Sequence, residues 1–367
     1  MIVCYEDSIL AYVASIRNHF GLASSYRPEP RFSKLLNDQK PNKIFLLLID
    51  AMGANLIERK LPEDAFLRKH LTYKVSTVFP STTTAATTSI RNGKAPNENA
   101  WLGWCQYLEE IDDIIIPFLC KGYYNDIFYP EDPMMKHVPV SSTEEELTAM
   151  GIKARNLYPA FREDGCGDLD EMCRRLIRYS QNDEYEYIYA YWDKYDTYMH
   201  EYGPDSLICD SYLAHINYEI EHLAAGLKED TLLAVVADHG QIEIHRNIDL
   251  QGSRLDPYLA RKPSIEPRAM AFFVKEGKQE EFAREFKEMF EKDYFLLSTR
   301  QVKDVCLFGD HPDHPRFEEF IGDFLAVARS DLALYYGQEH REKPKGQHAG
   351  MCEDEMLVPV ILYQTGY

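Results

Sequence analysis

The chain has 367 residues, with 40 lysines and arginines against 60 aspartates and glutamates, and its formal net charge is −20. This acidity disfavours a nucleic-acid polymer or an anionic membrane as a partner. The length predicts one large domain over residues 1–367, with small cap-type insertions near 101–170 and 240–330. No basic stretch precedes an apolar one at the amino end, and the eight cysteines form no C-x-x-C pair. We therefore expect a cytoplasmic protein with reduced thiols.

Three apolar runs predict buried parallel strands. They are "KIFLLLID" at 43–50, "YEYIYAYWD" at 185–193 and "TLLAVVAD" at 231–238. Runs of this kind, separated by helical stretches, predict an α/β fold with a doubly wound, mainly parallel sheet and helices on both faces. Because ligands bind at the carboxyl ends of the strands in such sheets, the polar residues after the three runs should face one crevice.

Side chains of the type that bind metal ions occur in four clusters. They are Asp50, then Asp196 with His200, then Asp238 with His239, and finally His348. Carboxylate oxygen and imidazole nitrogen suit zinc or manganese. Asp196 and His200 are four positions apart, so on a helix their side chains face the same way. Each cluster alone also has an ordinary explanation, since an aspartate after a strand often caps a helix.

A hydroxyl-rich stretch, "VFPSTTTAATTSI" at 78–90, lies at the predicted start of a helix. By itself this stretch does not indicate a function, because Ser81 or Thr82 would serve as an ordinary helix cap. Its interpretation depends on whether the four ligand clusters lie near it.

Five motifs in chain order carry a resemblance to a known family. They are "LLIDAMG", "FPSTTT", "YWDKYDTYMHEYGPDS", "VVADHG" and "QHAGMCEDEMLVPVIL". The set resembles the alkaline phosphatase superfamily, and within it the type I phosphodiesterase/nucleotide pyrophosphatase family, over roughly residues 43–363. The resemblance implies an alkaline phosphatase-like fold and two divalent metal ions, usually Zn²⁺, with Mn²⁺ as the alternative.

The same resemblance implies the ligands of each ion. One ion would be held by Asp50, Asp238, His239 and the oxygen of the nucleophile, and the other by Asp196, His200 and His348. Three or four nitrogen and oxygen ligands leave a coordination position open for a substrate oxygen. The positive charge of the ions would also explain how so acidic a protein accepts a phosphate.

A threonine nucleophile is a further implication of the resemblance. In several branches of the superfamily the nucleophile precedes a helix-ending glycine by ten residues, and counting back from Gly93 leads to Thr83. Thr82 and Thr84 are the alternatives. Coordination to a divalent ion lowers the pKa of a threonine hydroxyl, and the amide groups at a helix amino terminus attract the other phosphate oxygens.

The substrate is less well specified. Family members of the eukaryotic type carry a phosphate-binding asparagine after the nucleophile helix, where this chain reads "APNENAWLGW". Asn97 and Asn99 are candidates for that role, although the best-aligned position is Trp104. Several aromatic residues near the motifs would suit either a nucleobase slot or ordinary packing, and packing is the commoner role. They are Trp101, Trp104, Trp192, Tyr195, Tyr198 and Tyr202.

We therefore predict a two-metal phosphodiesterase or nucleotide pyrophosphatase-like hydrolase of small phosphorylated substrates such as nucleotides, acting through a phospho-threonine intermediate. The first alternative is a phosphomonoesterase or phosphonate hydrolase, which would need extra basic side chains, for which Arg91 and Lys94 are the nearby candidates. A sulfatase is disfavoured because the C-x-P-x-R signature is absent. A non-catalytic binding protein is disfavoured because all seven ligand positions are present. The sequence indicates no oligomeric state.

Overall fold

The computed structural model describes residues 3–337 and 342–364. Its strands are β1 (Lys43–Ile49), β2 (Leu71–Ser76), β3 (Gln106–Leu108), β4 (Asp113–Ile116), β5 (Lys121–Gly122), β6 (Ala154–Leu157), β7 (Tyr187–Trp192), β8 (Thr231–Val236), β9 (Ile242–Glu243), β10 (Arg246–Asp249), β11 (Ser264–Ile265), β12 (Ala269–Phe272), β13 (Tyr294–Ser298), β14 (Phe324–Ala328), β15 (Leu332–Tyr335), β16 (Gly346–Gln347) and β17 (Leu357–Gln364).

The α-helices are α1 (Ile9–His19), α2 (Pro30–Gln39), α3 (Ala54–Lys60), α4 (Phe66–Lys69), α5 (Thr83–Asn92), α6 (Pro96–Asn99), α7 (Pro133–His137), α8 (Thr143–Ala149), α9 (Leu169–Ser180), α10 (Lys194–Tyr202), α11 (Leu207–Gly226), α12 (Gln279–Phe290), α13 (Thr299–Asp304), α14 (Phe317–Ile321) and α15 (Glu353–Met356). Among the residues described, no helix is long and apolar enough to cross a membrane.

A six-stranded sheet organises the fold, with the strand order β2–β17–β8–β1–β7–β6. Strands β8, β1, β7 and β6 run parallel, and β17 is antiparallel to both of its neighbours. Every residue of β1, β7 and β8 is buried, so both faces of these strands are covered, which explains their uninterrupted apolar sequences. The main core joins them to α1, α2, α3, α9 and α11. The predicted α/β fold with a mainly parallel sheet is confirmed.

The two segments predicted as caps contain smaller sheets. Strands β3, β4 and β5 form an antiparallel sheet between residues 106 and 122, whereas β6, also within 101–170, joins the edge of the central sheet. The segment 240–330 contains the antiparallel sheet β11–β12–β14–β13, whose apolar face packs against α12. A division into one domain with two insertions stays a prediction.

The parallel strands deliver their following residues to one edge of the sheet. Asp50 directly follows β1, Asp238 comes two residues after β8, and α10 begins two residues after β7. Helix α5 begins at Thr83, and Gly93 ends it in the left-handed conformation with φ of 70°. The glycine from which Thr83 was counted therefore does end that helix.

Candidate metal centre

Two aspartates and one histidine form the first ligand group at the carboxyl edge of the sheet. One ligand atom each from Asp50, Asp238 and His239 lies within 4.8 Å of the others. The Nε2 atom of His239 is 3.3 Å from Asp50 Oδ1 and 3.6 Å from Asp238 Oδ2. All three side chains are at most 2% exposed. These carboxylates are therefore held close together away from water.

Protein donors occupy one oxygen of each carboxylate in this group. Asp238 Oδ1 accepts hydrogen bonds from the backbone amides of Ala51 (3.1 Å) and His239 (3.0 Å), and the Tyr191 hydroxyl donates to Asp50 Oδ2. The other oxygens, Asp50 Oδ1 and Asp238 Oδ2, are buried without a hydrogen-bond partner in the part of the chain that the structure describes. Unpaired buried carboxylate oxygens are costly, so this arrangement fits a bound cation.

A second ligand group shares His239 with the first. One ligand atom each from Asp196, His239 and His348 lies within 4.8 Å of the others. The rings of His239 and His348 stack with their centroids 4.0 Å apart. His200 lies outside this group of three, but its Nε2 is 3.3 Å from Asp196 Oδ2. The structure thus brings all six predicted aspartate and histidine ligands together, with His239 between the two groups.

The three imidazole rings use the same nitrogen for hydrogen bonding to the backbone. His200, His239 and His348 each direct Nδ1 at a backbone carbonyl oxygen, of Gly346 (2.8 Å), Gly240 (3.1 Å) and Ser81 (3.1 Å) respectively. A neutral imidazole that donates from Nδ1 presents an unprotonated Nε2. All three Nε2 atoms face the carboxylates, which is the orientation that a metal ligand requires.

Burial and mutual repulsion perturb the carboxylates. Burial, followed by the charges of Asp238 and Asp196, raises the pKa of Asp50 well above its usual range. Burial also raises the pKa of Asp238, against the opposing charge of His239. For Asp196, burial is outweighed by His200, His348 and His239, which hold its pKa below the usual range. A site with three carboxylates in so small a space favours a divalent cation, and the nitrogen and oxygen donors suit zinc or manganese.

The neutral form is favoured for His348. Burial, followed by the charge of His239, lowers the pKa of His348 well below its usual range. At His200, burial acts in the same direction but the nearby Asp196 carboxylate raises the pKa overall. The unprotonated form of His348 is the form that binds a metal ion.

The three candidate hydroxyl groups at the start of α5 have different surroundings. Thr83 Oγ1 is 3.2 Å from His239 Nε2. The Thr82 hydroxyl donates to Glu266 Oε1, and Thr84 Oγ1 is buried with no partner among the described residues. Of the three, Thr83 is therefore the one whose hydroxyl lies against the ligand groups.

A cavity of about 550 Å³ opens beside Thr83 and the second ligand group. The residues that line it are Thr83, Trp104, Tyr123, Asp196, Thr197, His200, Glu201, Glu266, Pro267, Tyr335, Glu342, Lys343, Pro344, Gln347 and His348. Of the six aromatic residues considered from the sequence, Trp104 alone is among these lining residues. Trp101, Trp192 and Tyr195 are buried in the core, and Tyr198 and Tyr202 pack against it. Packing is thus their role.

Neither asparagine proposed for phosphate binding belongs to the cavity lining. Asn97 donates hydrogen bonds to the backbone of His311 and to Asp313, and Asn99 donates to Ser89 Oγ. The described residues that line the cavity include Trp104 but no asparagine.

Five residues at the site had no role predicted from the sequence. Glu266, Tyr123 and Tyr335 line the cavity, and Tyr191 holds Asp50. Glu266, Tyr123 and Tyr335 lie outside the five motifs, whereas Tyr191 is the first residue of "YWDKYDTYMHEYGPDS", in which Asp196 and His200 were the predicted ligands. Gln241, which donates through Nε2 to Asp196 Oδ1, had one available signal, since it lies two residues after His239.

Comparison with known proteins places the chain in a family. The model of the type I phosphodiesterase/nucleotide pyrophosphatase family matches residues 124–351, a segment that includes Asp196, His200, Asp238, His239 and His348. No curated protein matches the chain significantly.

Solved structures with the same fold include murine ectonucleotide pyrophosphatase/phosphodiesterase 5, with 15% sequence identity, coverage of 88% of both chains and a TM-score of 0.68. The human protein of that name has 15% identity, covers 88% of this chain and 87% of its own, and has the same TM-score of 0.68. Phosphonoacetate hydrolase from Sinorhizobium meliloti 1021 has 14% identity, covers 88% of this chain and 90% of its own, and has a TM-score of 0.64.

The family match spans more than half of the chain, and the fold agrees with it over most of the remaining length. The chain belongs to the type I phosphodiesterase/nucleotide pyrophosphatase family of the alkaline phosphatase superfamily, and it is a metal-dependent hydrolase of phosphoric esters.

Proposed function

We propose that this protein hydrolyses small phosphodiesters or nucleotide-type pyrophosphates with Thr83 as the nucleophile and a phospho-threonine intermediate. The observation that carries the proposal is the position of Thr83 Oγ1, which lies 3.2 Å from His239 Nε2 at the start of α5. His239 is common to both ligand groups, so this hydroxyl is adjacent to the most concentrated set of metal-type ligands in the described chain.

Seven residues would hold two divalent ions, with zinc favoured over manganese. Asp50, Asp238, His239 and the Thr83 hydroxyl would bind one ion, and Asp196, His200 and His348 the other. When bound, the ions supply positive charge and Lewis acidity, which lower the pKa of the threonine hydroxyl and neutralise the phosphate. Gln241 and the three backbone carbonyl groups that accept hydrogen bonds from the Nδ1 atoms would hold the ligands in position.

The reaction would proceed in two displacements at phosphorus. Thr83 loses its hydroxyl proton, its oxygen forms a bond to phosphorus, and the bond from phosphorus to the leaving oxygen breaks on the opposite side. The leaving oxygen departs with the bonding electron pair and takes up a proton. Water then attacks phosphorus and loses a proton, the bond from phosphorus to Thr83 Oγ1 breaks, the threonine oxygen takes up a proton, and the phosphate monoester product leaves. The first amide groups of α5 would donate to the remaining phosphate oxygens.

The charge of the cavity favours a diester over a phosphomonoester or a phosphonate with a carboxylate. Arg91 pairs with the buried Glu144 and lies over the Tyr189 ring, and neither Arg91 nor Lys94 lines the cavity. Lys343 is the only arginine or lysine among the lining residues that the structure describes. A dianionic substrate would thus meet three glutamates and one lysine beyond the metal ligands.

Nucleotides stay within the proposed substrate range. An inactive variant of the murine structural relative was solved in complex with AMP, and the phosphonoacetate hydrolase was solved with phosphonoformate. Both are small phosphorus-containing ligands, in agreement with a cavity of this size. A cytoplasmic location and the preference for zinc stay predictions.

The deciding experiment is to trap the intermediate. Protein reconstituted with zinc or manganese would be mixed with bis(p-nitrophenyl) phosphate, quenched in acid and digested for mass spectrometry. We expect a p-nitrophenyl phosphate adduct on Thr83, because only one of the two aryl groups leaves in the first displacement, and faster turnover of the diester than of p-nitrophenyl phosphate. Hydrolysis without an adduct, or an adduct on Thr82 or Thr84, would contradict the assignment.

A further inference from the structure

The cavity beside Thr83 combines acidic and aromatic walls in a way that the hydrolysis step itself does not require. Trp104, Tyr123 and Tyr335 provide aromatic surface, and Glu201, Glu266 and Glu342 provide carboxylates. Aromatic faces together with carboxylates are the surroundings that bind organic cations. Acidic clustering alone identifies no ligand, so the argument depends on Glu266, whose surroundings are more specific.

Glu266 is a buried carboxylate with one oxygen satisfied and the other available. It is 4% exposed. Its Oε1 atom accepts hydrogen bonds from the Thr82 hydroxyl and from the Trp104 amide at 2.9 Å. Its Oε2 atom accepts none from residues 3–337 or 342–364, although Glu266 forms part of the cavity wall. A carboxylate oxygen on a cavity wall without a partner among these residues is suited to a donor that arrives with the ligand.

The backbone holds Glu266 in place at a cost. The preceding residue, Ile265, has φ of 77°, a conformation that β-branched residues rarely adopt. Two hydrogen bonds with Cys105, at 3.2 and 2.7 Å, hold Ile265 in that conformation. Strained residues of this kind concentrate at functional sites. The hydrogen bonds that maintain this strained backbone therefore also hold the Glu266 carboxylate beside Thr82, one residue from the proposed nucleophile.

One lysine side chain already lies against the aromatic wall. The Nζ atom of Lys343 lies over the ring of Tyr335, 4.4 Å from its centroid. The Tyr335 hydroxyl accepts a hydrogen bond from Gln347 Nε2 at 3.1 Å, which fixes the ring. The backbone of Trp104 is held by the hydrogen bond from its amide to Glu266, and its ring packs 6.2 Å from that of Phe118. The cavity thus has aromatic surfaces on which a cationic group can lie.

We propose that the cavity is a subsite for a protonated primary amine on the substrate, in which Glu266 Oε2 accepts an ammonium N–H and Trp104 and Tyr335 provide the aromatic surface. This inference rests on the proposed function and names its substrate class as 2-aminoethyl phosphodiesters and their close relatives. A primary ammonium is assigned rather than a quaternary one because only the primary ammonium has an N–H group that the Oε2 atom of Glu266 can accept. The net charge of −20 disfavours polyanionic substrates and favours this class.

The test compares three p-nitrophenyl phosphodiesters on the metal-loaded protein. They carry a 2-aminoethyl group, a propyl group of the same length without charge, or a choline group with charge but no N–H. We expect kcat/KM for the aminoethyl ester to exceed that for the propyl ester by roughly 10- to 100-fold, as for a charge-assisted hydrogen bond, and to exceed that for the choline ester. Equal values for the aminoethyl and propyl esters, or a preference for choline, would overturn the proposal.

A substitution of Glu266 tests whether this carboxylate causes the preference for the aminoethyl ester. Glu266→Gln keeps an acceptor for Thr82 and Trp104 but removes the charge, so the aminoethyl-to-propyl ratio should fall to within about 3-fold of unity. Glu276→Gln, at an exposed position, makes the same change of charge away from the cavity and should leave the ratio as in the unmodified protein. A ratio that survives in Glu266→Gln would overturn the role of Glu266. The substrate comparison in the unmodified protein does not depend on how the variant folds.

The same chemistry occurs in a soluble diester and in a lipid headgroup. Glycerophosphoethanolamine in solution and vesicles that contain phosphatidylethanolamine would separate these sources, and metal-dependent cleavage of either supports the subsite. Cleavage of neither, together with no preference among the p-nitrophenyl esters, overturns it. Failure of the proposed function is distinguishable, because Thr83→Ala would then hydrolyse the esters at an undiminished rate whatever their order of preference.

Discussion

The Nε2 atom of His239 lies 3.2 Å from the Oγ1 atom of Thr83, although the two residues are 156 positions apart in the chain. His239 follows strand β8 and Thr83 begins helix α5, so their contact joins the carboxyl edge of the sheet to the amino end of a helix. That edge also carries Asp50 and Asp238. A nucleophile placed there would have metal ligands on one side and helix amide groups on the other.

Replacement of Thr83 should separate chemistry from binding. Thr83→Ala removes the hydroxyl and should lower kcat for bis(p-nitrophenyl) phosphate roughly 10³- to 10⁵-fold, because no other hydroxyl has the same position. Thr83→Ser should retain part of the activity. Thr88→Ala, on the same helix at a half-buried position, is the matched control and should behave as the unmodified protein. Full activity in Thr83→Ala would show that another group attacks phosphorus.

Replacement of Asp50 should have opposite effects on the metal-free and metal-loaded proteins. Asp50→Asn removes a carboxylate whose pKa is raised by burial and by the charges of Asp238 and Asp196, so the metal-free variant should be at least as stable as the metal-free protein near pH 8. The same change removes a proposed ligand. Zinc should therefore raise the thermal midpoint of the unmodified protein by several degrees and that of the variant much less.

Elemental analysis of both proteins after dialysis would check this prediction independently. The variant should retain less zinc for each chain than the unmodified protein. Equal metal content and an equal thermal shift would show that Asp50 is not a ligand.

Glu266 should make the stability of the metal-free protein depend on pH. Burial, partly offset by the hydrogen bonds from Thr82 and Trp104, raises the pKa of Glu266 from 4.5 to about 7. Between these values the folded protein holds a proton that the unfolded chain releases, so the free energy of unfolding falls as pH rises, by roughly 3 kcal/mol in total. Glu266→Gln cannot titrate and should not lose this contribution.

The measurement is urea unfolding of the unmodified protein and of Glu266→Gln between pH 5 and pH 8 in the presence of a chelator. The difference between the two free energies should shift in favour of the variant as pH rises. A difference that is constant with pH, or that shifts the other way, would contradict the assigned pKa.

A buried ion pair supports the segment that carries His348. Arg268 Nε is 2.7 Å from Glu355 Oε1 and both side chains are fully buried. Glu355 also accepts the amide of Gly350 at 2.8 Å. Arg268→Met leaves the Glu355 charge unpaired and should cost about 3–5 kcal/mol of stability, whereas Arg268→Met combined with Glu355→Leu should cost less. Denaturant titration of the single and double variants tests this order, and a double variant less stable than the single one would contradict it.

Several features of the fold and the site were predictable because they depend on local sequence. Strands β1, β7 and β8 are buried on both faces, so their sequences are continuously apolar and recognisable. The spacing of Asp196 and His200 places them on one face of α10, where the Nε2–Oδ2 distance is 3.3 Å. Gly93 ends α5 in a conformation that favours glycine. The helix has 10 residues, so counting back 10 positions from Gly93 reaches its first residue, Thr83.

Other features depended on residues brought together from distant parts of the chain. Glu266 receives the Thr82 hydroxyl across 184 positions, and Tyr191 donates to Asp50 across 141. A lone glutamate before a proline and a tyrosine within a strand have no spacing that marks them as site residues. The sequence also left the grouping of the ligands undetermined. His239 is common to both groups because it has a ligand atom within 4.8 Å of Asp50 and Asp238 in one group and of Asp196 and His348 in the other.

By itself the sequence determined the class of sheet, the family and the chemical types of the ligands, because strand burial, helix spacing and motif order are properties of short segments. Only the tertiary structure decided which hydroxyl lies against the ligands, which imidazole the two groups share and which carboxylate faces the substrate cavity. These are distances between atoms of separate segments. They follow from how the sheet, α5 and the segment around Glu266 pack together. The order of side chains along the chain does not specify that packing directly.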